Sequence, residues 1–525
     1  MYFRFSGSFV TVSQIQNLKY GKEIIDVADR ILNPIQIFYF IDFIYLILLN
    51  IKKNKYLEEY RVNKKQDFLI LVLILYTSFP IIYNWINNDL FVWSKSRQVL
   101  DLKIYGYTIN DIKNTLFYSA KAKYNSKEEV SKEIRNLKEN YNSKYNIDNS
   151  YNNIGIDKHI VLIQLESMQE FLKNAKINGK EITPNFNKFV KENIDLQNLI
   201  GQSKTRTADS EFSTATSLYP VQDSMAFQNY YANTYDTSYS LLKKNGYITY
   251  YLHGNTSNFW NRGAVYTNWK VDNQYYIDKF NYNKDTDILN NYLDDEKLLL
   301  QSVDILKNSK NKIFMSMSTA TLHSPYNIKS RQDKITIDVG EYKGTTFGNY
   351  LETANYVDYC FGKYIEKLKI EGIYDNTIIV FYGDHYGLAQ KDPQMIDFFS
   401  KNNIPVNDAY LAYNENRLFS GMRIPGKENI KIEKVVSKID ILPTILQLTG
   451  IKASNTLGYT FFSNKDFVCM KDKLVYMKDK ISIDGKWYNI NNGKEINVEN
   501  SKYYLDNMIT ELEISDSIIL KNLFK

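Results

Sequence analysis

At 525 residues the chain exceeds what one compact core organises, so length alone predicts a large domain with additional segments. The 65 basic and 59 acidic residues leave a net charge of +6 with no long Lys/Arg block, which excludes nucleic-acid binding as the organising function. Cys360 and Cys469 lie far apart and outside any C-x-x-C spacing, which excludes a thiolate metal centre.

Residues 1–34 mix polar and apolar side chains without a long hydrophobic region, and are read as an amphipathic segment on the extracellular side rather than a signal peptide. Two apolar runs follow, 35–51 and 68–87, each of about the length needed to cross a bilayer. Asp42 interrupts the first and would cost about 2.5–3.5 kcal/mol at the bilayer centre, so it is expected to face another helix or a polar cavity. The loop between them, 52–67, carries Lys52, Lys53, Lys55, Arg61, Lys64 and Lys65, which makes it cytoplasmic by the positive-inside rule and puts everything after it outside the cell. Trp85 and Trp93 suit the outer interface. Residues 88–157, rich in Lys, Glu, Asn and Ser from 101 onward, read as an extracellular helical stalk or linker. Within them Ala120-Lys121-Ala122 has the small-x-small pattern of a signal-peptidase site, although helix-surface alanines are the simpler account of it.

From residue 158 to about 465 apolar runs alternate with amphipathic stretches, the signature of an α/β domain with a mostly parallel central sheet flanked by helices. Four runs end in chemistry-bearing residues. The run from His159 to Leu165 is followed by Glu166, the run from Tyr247 to Leu252 by His253, the run from Ile313 to Met317 by His323, and the run from Thr377 to Tyr382 by Gly383-Asp384-His385-Tyr386. In open parallel sheets sites form beyond the carboxyl ends of strands, so these side chains are expected to converge. Only four histidines occur in the chain, and His159, at the start of its strand, is the one expected to stand outside the site.

A polar loop, 201–206, enters a helix-like stretch at Thr207, where a hydroxyl would see the positive end of the helix dipole. Thr207 is a candidate nucleophile, with Thr205 as competitor and simple helix capping as the plain explanation of both. Glu166, Asp384 and His385 offer two carboxylates and an imidazole, a set suited to Mn²⁺ or Zn²⁺, and Thr207 would be the fourth ligand of a phosphotransfer centre. Arg262 is placed to hold a phosphate by two hydrogen bonds, Trp260 to wall a small polyol, and His323 to bind phosphate or shuttle a proton. Val435 to Leu448 reads as a helix that Pro443 kinks or restarts. Asp484-Gly485 and Asn492-Gly493 mark turns in a small antiparallel β appendage that, with a closing helix, fills 466–525.

Five blocks together resemble the lipoteichoic acid synthase family, the membrane-anchored phosphoglycerol transferase branch of the alkaline phosphatase and sulfatase superfamily. They are Leu165-Glu166-Ser167, Arg206-Thr207-Ala208-Asp209-Ser210-Glu211-Phe212, His253-Gly254-Asn255 with Phe259-Trp260-Asn261-Arg262, His323-Ser324-Pro325, and Tyr382-Gly383-Asp384-His385-Tyr386. The resemblance implies a sulfatase-like catalytic domain at 158–465, a metal, usually Mn²⁺ with Zn²⁺ or Mg²⁺ as alternatives, on Glu166, Thr207, Asp384 and His385, and a covalent glycerophosphoryl intermediate on Thr207. It implies a glycerol phosphate pocket lined by His253, Asn255, Trp260, Arg262 and His323, phosphatidylglycerol as membrane donor, and a glycerophosphate polymer or glycolipid as acceptor. The Tyr2-Phe3-Arg4-Phe5 opening is similar to an extracellular loop ahead of the family's last two membrane helices, so the chain is expected to be a shortened, multi-pass relative. The nearest rival is a phosphoethanolamine transferase, which shares the threonine and metal logic. A sulfatase would need Cys or Ser in a C/S-x-P-x-R context, which neither cysteine and no serine has. A non-catalytic scaffold conflicts with an intact set of ligands.

Overall fold

The computed structural model describes residues 122–525, apart from 203–206, 222–225, 327, 390 and 472. The apolar runs at 35–51 and 68–87, with the segments around them as far as residue 121, lie outside the described residues, as does Thr205. Among the described residues no helix is long and apolar enough to cross a membrane.

Nine strands build the main sheet: β1 His159–Leu165, β2 Ile194–Ile200, β3 Ile248–His253, β4 Asn273–Tyr275, β5 Ile313–Ser318, β6 Thr377–Gly383, β7 Arg417–Leu418, β8 Ser420–Arg423 and β9 Ile430–Ser437. Their order is β7-β2-β8-β6-β1-β5-β3-β4, with β9 running along β2. β1, β3, β4, β5 and β6 are mutually parallel, and β9 is parallel to β2, whereas β8 joins β6 and β2 antiparallel. Every residue of β1, β5 and β6 is buried, which is why these segments read as continuous apolar runs instead of alternating ones. The C-terminal sheet has five antiparallel strands between Val468 and Ile496. At its Asp484-Gly485 turn both residues have positive φ, 50° and 84°, as a two-residue hairpin with the right-handed twist requires.

Among the helices that border the sheet or close the chain are α1 Lys127–Lys144, α2 Thr207–Thr216, α3 Thr346–Ile370 and α4 Ser501–Lys521. α1 begins at Ser126, whose side chain accepts from the Glu129 amide at 3.2 Å. It buries Val130, Ile134, Leu137 and Tyr141, a single stripe at helical spacing, and each such burial is worth about 1.5–3 kcal/mol. The stripe meets α4: Tyr141 donates its hydroxyl to Glu511, Lys123 pairs with Glu513 at 2.6 Å, and the Tyr124 amide donates to Ser517 Oγ at 3.2 Å. Lys521 reaches back to Asn125. Residues 122–525 therefore form one compact unit, and the part of the expected stalk from 122 to 157 is docked onto it, not free-standing.

The helix expected over Val435–Leu448 is half strand. β9 runs to Ser437, pairing Val435 with Asn198 and Val436 with Leu199, and the helix proper is Ile441–Thr449 with Pro443 in its first turn. Pairing along β2 overrides the local pattern there, and a proline in the first turn loses no helical hydrogen bond, so nothing needs to kink.

Candidate active site

Glu166 follows β1 directly, and Asp384-His385 follows β6, its parallel neighbour in a register that sets Leu165 opposite Gly383. Adjacent strand ends are what bring the three groups together. One ligand atom from each of Glu166, Asp384 and His385 lies within 4.8 Å of the other two, a triad able to hold a metal ion. His385 Nε2 is 3.5 Å from Glu166 Oε1 and 3.3 Å from Asp384 Oδ2. Gly383 permits the approach: a Cβ there would sit 2.1 Å from the Met168 carbonyl oxygen.

Each ligand is held from behind. Asp384 Oδ1 accepts from the Ser167 and His385 amides, both at 2.7 Å, and Ser167, at φ 54°, carries backbone strain of the kind that concentrates at sites. Ser167 Oγ donates to Glu166 Oε1 at 2.9 Å, and the Glu166 amide donates to Thr319 Oγ1 at 3.0 Å. His385 Nδ1 faces the Tyr386 carbonyl at 2.9 Å, which fixes the proton on that nitrogen and leaves Nε2 for the triad. Burial, then the neighbouring Asp384, pushes the Glu166 carboxyl up to about 7. The Asp384 and Glu166 charges outweigh desolvation and raise the His385 imidazole. Two buried carboxylates, with a correctly presented imidazole nitrogen, fit a divalent cation.

Thr207 is the first residue of α2, and its Oγ1 donates to Glu166 Oε2 at 3.2 Å. Its carbonyl accepts from Gln164 Nε2 at 3.2 Å, which ties the helix start to β1. On the other flank the buried Lys438 donates to the Asp384 carbonyl at 2.6 Å, and burial lowers its ammonium to about 7.

His253 ends β3 beside Ser318 of β5, and its Nδ1 faces the Ser318 carbonyl at 2.9 Å. Its Nε2 is buried without a hydrogen-bond partner among the described residues. Burial first, and then Arg262, hold this imidazole well below its ordinary value, so it is neutral and offers Nε2 as an acceptor. His323 is half-buried, with Nδ1 at 2.7 Å from the Ser324 carbonyl. Asn255 turns its Oδ1 back to the Thr256 amide at 2.7 Å. Trp260 is half-buried, and both it and Asn261 occupy the left-handed region at φ 58° and 59°. His159 accepts from the Ile313 amide at 3.1 Å and lies at the other end of β1, away from the triad.

Arg262 differs from expectation. Its guanidinium is fully buried and its Nε–Nη2 edge is taken by Glu211, at 3.1 and 2.6 Å to Oε1. Nη1 donates to the Phe259 carbonyl at 3.2 Å, so any grip on a ligand falls to the donors left over from these bonds. Glu211 also accepts from the Tyr251 and Tyr266 hydroxyls at 3.1 and 2.5 Å. One turn after Thr207 in α2, it couples the helix of the candidate nucleophile to the segment that presents Arg262. Glu211→Ala should cost about 3–5 kcal/mol in denaturant unfolding, because it strands a buried guanidinium. A loss below about 1 kcal/mol would show that the pair does not carry this load.

Glu211, Lys438 and Tyr292 have places at the cleft that sequence reasoning does not assign. A signal exists for Tyr292, since Asn290-Asn291 between two short apolar pairs marks a hairpin. Glu211 stands out in the sequence only as part of a motif.

Residues 158–451 match the family model described as Sulfatase, and residues 1–123 match one described as Lipoteichoic acid synthase N-terminal domain. The chain is 29% identical over 550 residues to lipoteichoic acid synthase 2 of Bacillus subtilis (strain 168), covering 100% of this chain and 81% of that protein. It is 27% identical over 548 residues to the lipoteichoic acid synthase of Staphylococcus aureus (strain NCTC 8325 / PS 47), covering 100% and 82%. The crystal structure of the lipoteichoic acid synthase LtaP from Listeria monocytogenes superposes with a TM-score of 0.67 at 27% identity, over 74% of this chain and 98% of that one.

Proposed function

The chain belongs to the sulfatase family, and on that premise we propose that it is a membrane-anchored, extracellular, metal-dependent phosphoglycerol transferase of the lipoteichoic acid synthase type. The observation that carries this reading is the Thr207 hydroxyl bonded to Glu166 in the cation triad, at the head of a helix, in a chain with no C/S-x-P-x-R sequence for a sulfatase nucleophile. The match at 1–123, the apolar runs at 35–51 and 68–87 and the basic loop between them support a membrane anchor with residues 158–465 as the catalytic domain outside the cell. The relatives are named lipoteichoic acid synthases, and the resemblance of the five blocks implies phosphatidylglycerol as donor and a glycerophosphate polymer or glycolipid as acceptor.

Glu166, Thr207, Asp384 and His385 would hold a single Mn²⁺. When bound, the cation supplies charge neutralisation to the phosphoryl group and eases loss of the Thr207 proton. Thr207 Oγ1 gives its proton to water and attacks phosphorus, an Oγ–P bond forms, and the bond from phosphorus to the diacylglycerol oxygen breaks. His323 delivers a proton to that oxygen. In the second half the acceptor hydroxyl gives its proton to His323 and attacks the same phosphorus, the Oγ–P bond breaks, and the Thr207 oxygen takes a proton back from water. His253 Nε2, neutral and without a protein partner, accepts from a glycerol hydroxyl. Trp260 and Asn255 border that end of the pocket, and Arg262 offers its remaining donors to the phosphate.

The test is to incubate the full chain in vesicles with Mn²⁺ and head-group-labelled phosphatidylglycerol or phosphatidylethanolamine. Label should pass from phosphatidylglycerol to the protein and on to added acceptor. Preference for phosphatidylethanolamine would replace the donor, and label from neither lipid would sink the transferase reading.

A further inference from the structure

A hairpin with no part in the proposed transfer steps, Ile288–Leu289 paired with Tyr292–Leu293, presses on the cleft. Its turn residues Asn290 and Asn291 have φ 50° and 70°, the left-handed pair a two-residue hairpin needs. The Leu293 amide donates to the Gly254 carbonyl at 2.8 Å, and a Cβ on Gly254 would come within 3.0–3.3 Å of Leu293, so the hairpin seats directly on the residue after His253. Asp294, the next residue, is fixed by Arg331 at 2.8 Å and by the Tyr356 hydroxyl at 2.7 Å. The carboxyl end of the tyrosine's short strand is therefore clamped.

The Tyr292 ring sits where three pocket residues meet, with its centroid 5.4 Å from His323, 6.3 Å from His253 and 5.9 Å from Phe259. The side chain is largely buried, and among the described residues no hydrogen bond engages its hydroxyl, which stays open to solvent. Its neighbours differ: Tyr251 and Tyr266 donate to Glu211, Tyr326 to the Gly387 carbonyl and Tyr356 to Asp294. A largely buried tyrosine whose hydroxyl no protein group holds is free to offer that hydroxyl to a ligand in the cleft. Burial, reinforced by the Glu166 charge and opposed by that of Arg262, pushes the phenol up to about 12. The hydroxyl thus stays protonated as a donor and feels both the carboxylate of the cation triad and the guanidinium.

We propose that the Tyr292 hydroxyl is a further substrate contact, donating a hydrogen bond to a non-bridging oxygen of the phosphoryl group held between the cation triad and Arg262. This deepens the phosphotransfer reading of the cleft and rests on it. A donor to a charged non-bridging oxygen holds bound phosphate and the transition state alike, so both affinity and rate depend on it.

The experiment compares the parent chain with Tyr292→Phe, which keeps the three ring contacts and removes only the hydroxyl. Both are measured with Mn²⁺ for affinity to inorganic phosphate and for the single-turnover rate of protein labelling from phosphatidylglycerol, and melting curves check that the variant is folded. Phosphate affinity and labelling rate should each fall by about ten- to a hundredfold, the loss expected when a donor to a charged acceptor is deleted. Values within about twofold of the parent on both measures overturn the proposal. A slower labelling rate with unchanged phosphate affinity also overturns it, because the hydroxyl then serves the head group. Should the parent take no label from phosphatidylglycerol, the transferase reading fails by itself, and the phosphate arm still decides the role of Tyr292.

Discussion

Thr207→Ala is expected to abolish transfer and to leave no covalent adduct, lowering turnover by at least about a thousandfold. Two hydroxyls bond to Glu166, those of Thr207 at 3.2 Å and Ser167 at 2.9 Å, so the contact alone does not single out the nucleophile. Position does. Thr207 opens α2, where free amides and the helix dipole favour an anionic oxygen, whereas Ser167 is locked between Glu166 and the Asp384 carboxylate that its own amide supports. Thr207→Ser should retain a slow reaction and an adduct at the same residue, whereas Ser167→Ala should still form the adduct. Intact-protein mass spectrometry after incubation with phosphatidylglycerol checks all three, and an adduct on the alanine variant would falsify the assignment.

Asp384→Asn is expected to weaken metal binding by more than about a hundredfold, since it removes a ligand charge from a buried triad that has only two carboxylates. In the parent, affinity should rise with pH. The Glu166 carboxyl is raised from 4.5 to about 7, so between those values the folded, metal-free protein binds a proton that the unfolded chain has already lost. Its stabilising effect is complete below about pH 4.5 and is lost as pH rises through about 7. A cation must displace that proton, and also any on His385, whose imidazole is raised above its ordinary 6.5. Apparent Mn²⁺ affinity should therefore climb from about pH 5.5 to about pH 7.5, with proton release seen by calorimetry. An affinity flat across that window would contradict a Glu166 carboxyl raised to about 7.

The parts of the site legible in the sequence are those that a parallel sheet collects by itself. Glu166 and Asp384-His385 each follow a fully buried apolar strand, and parallel pairing of β1 with β6 leaves no other place for them to go. Roles that depend on distant partners are not legible. Nothing local to Arg262 says that its guanidinium is taken by a carboxylate 51 residues earlier, because that pair forms only when α2 packs beside the segment that follows β3. Tyr292 is hidden by strands two residues long, too short for periodicity to register. The departure at Val435–Leu448 has the same origin: β2 recruits the first residues into the sheet against their local pattern.

The bonds from Lys123 and Asn125 to α4 mean that the described unit starts and finishes at one spot. Its path is a closed ring with a single junction, and nothing in its core depends on which side of that junction the polypeptide is cut. The two ends could be joined by a short linker and new ends opened in an exposed turn, such as Asp484-Gly485, to give a circularly permuted version with the same β1–β6 corner.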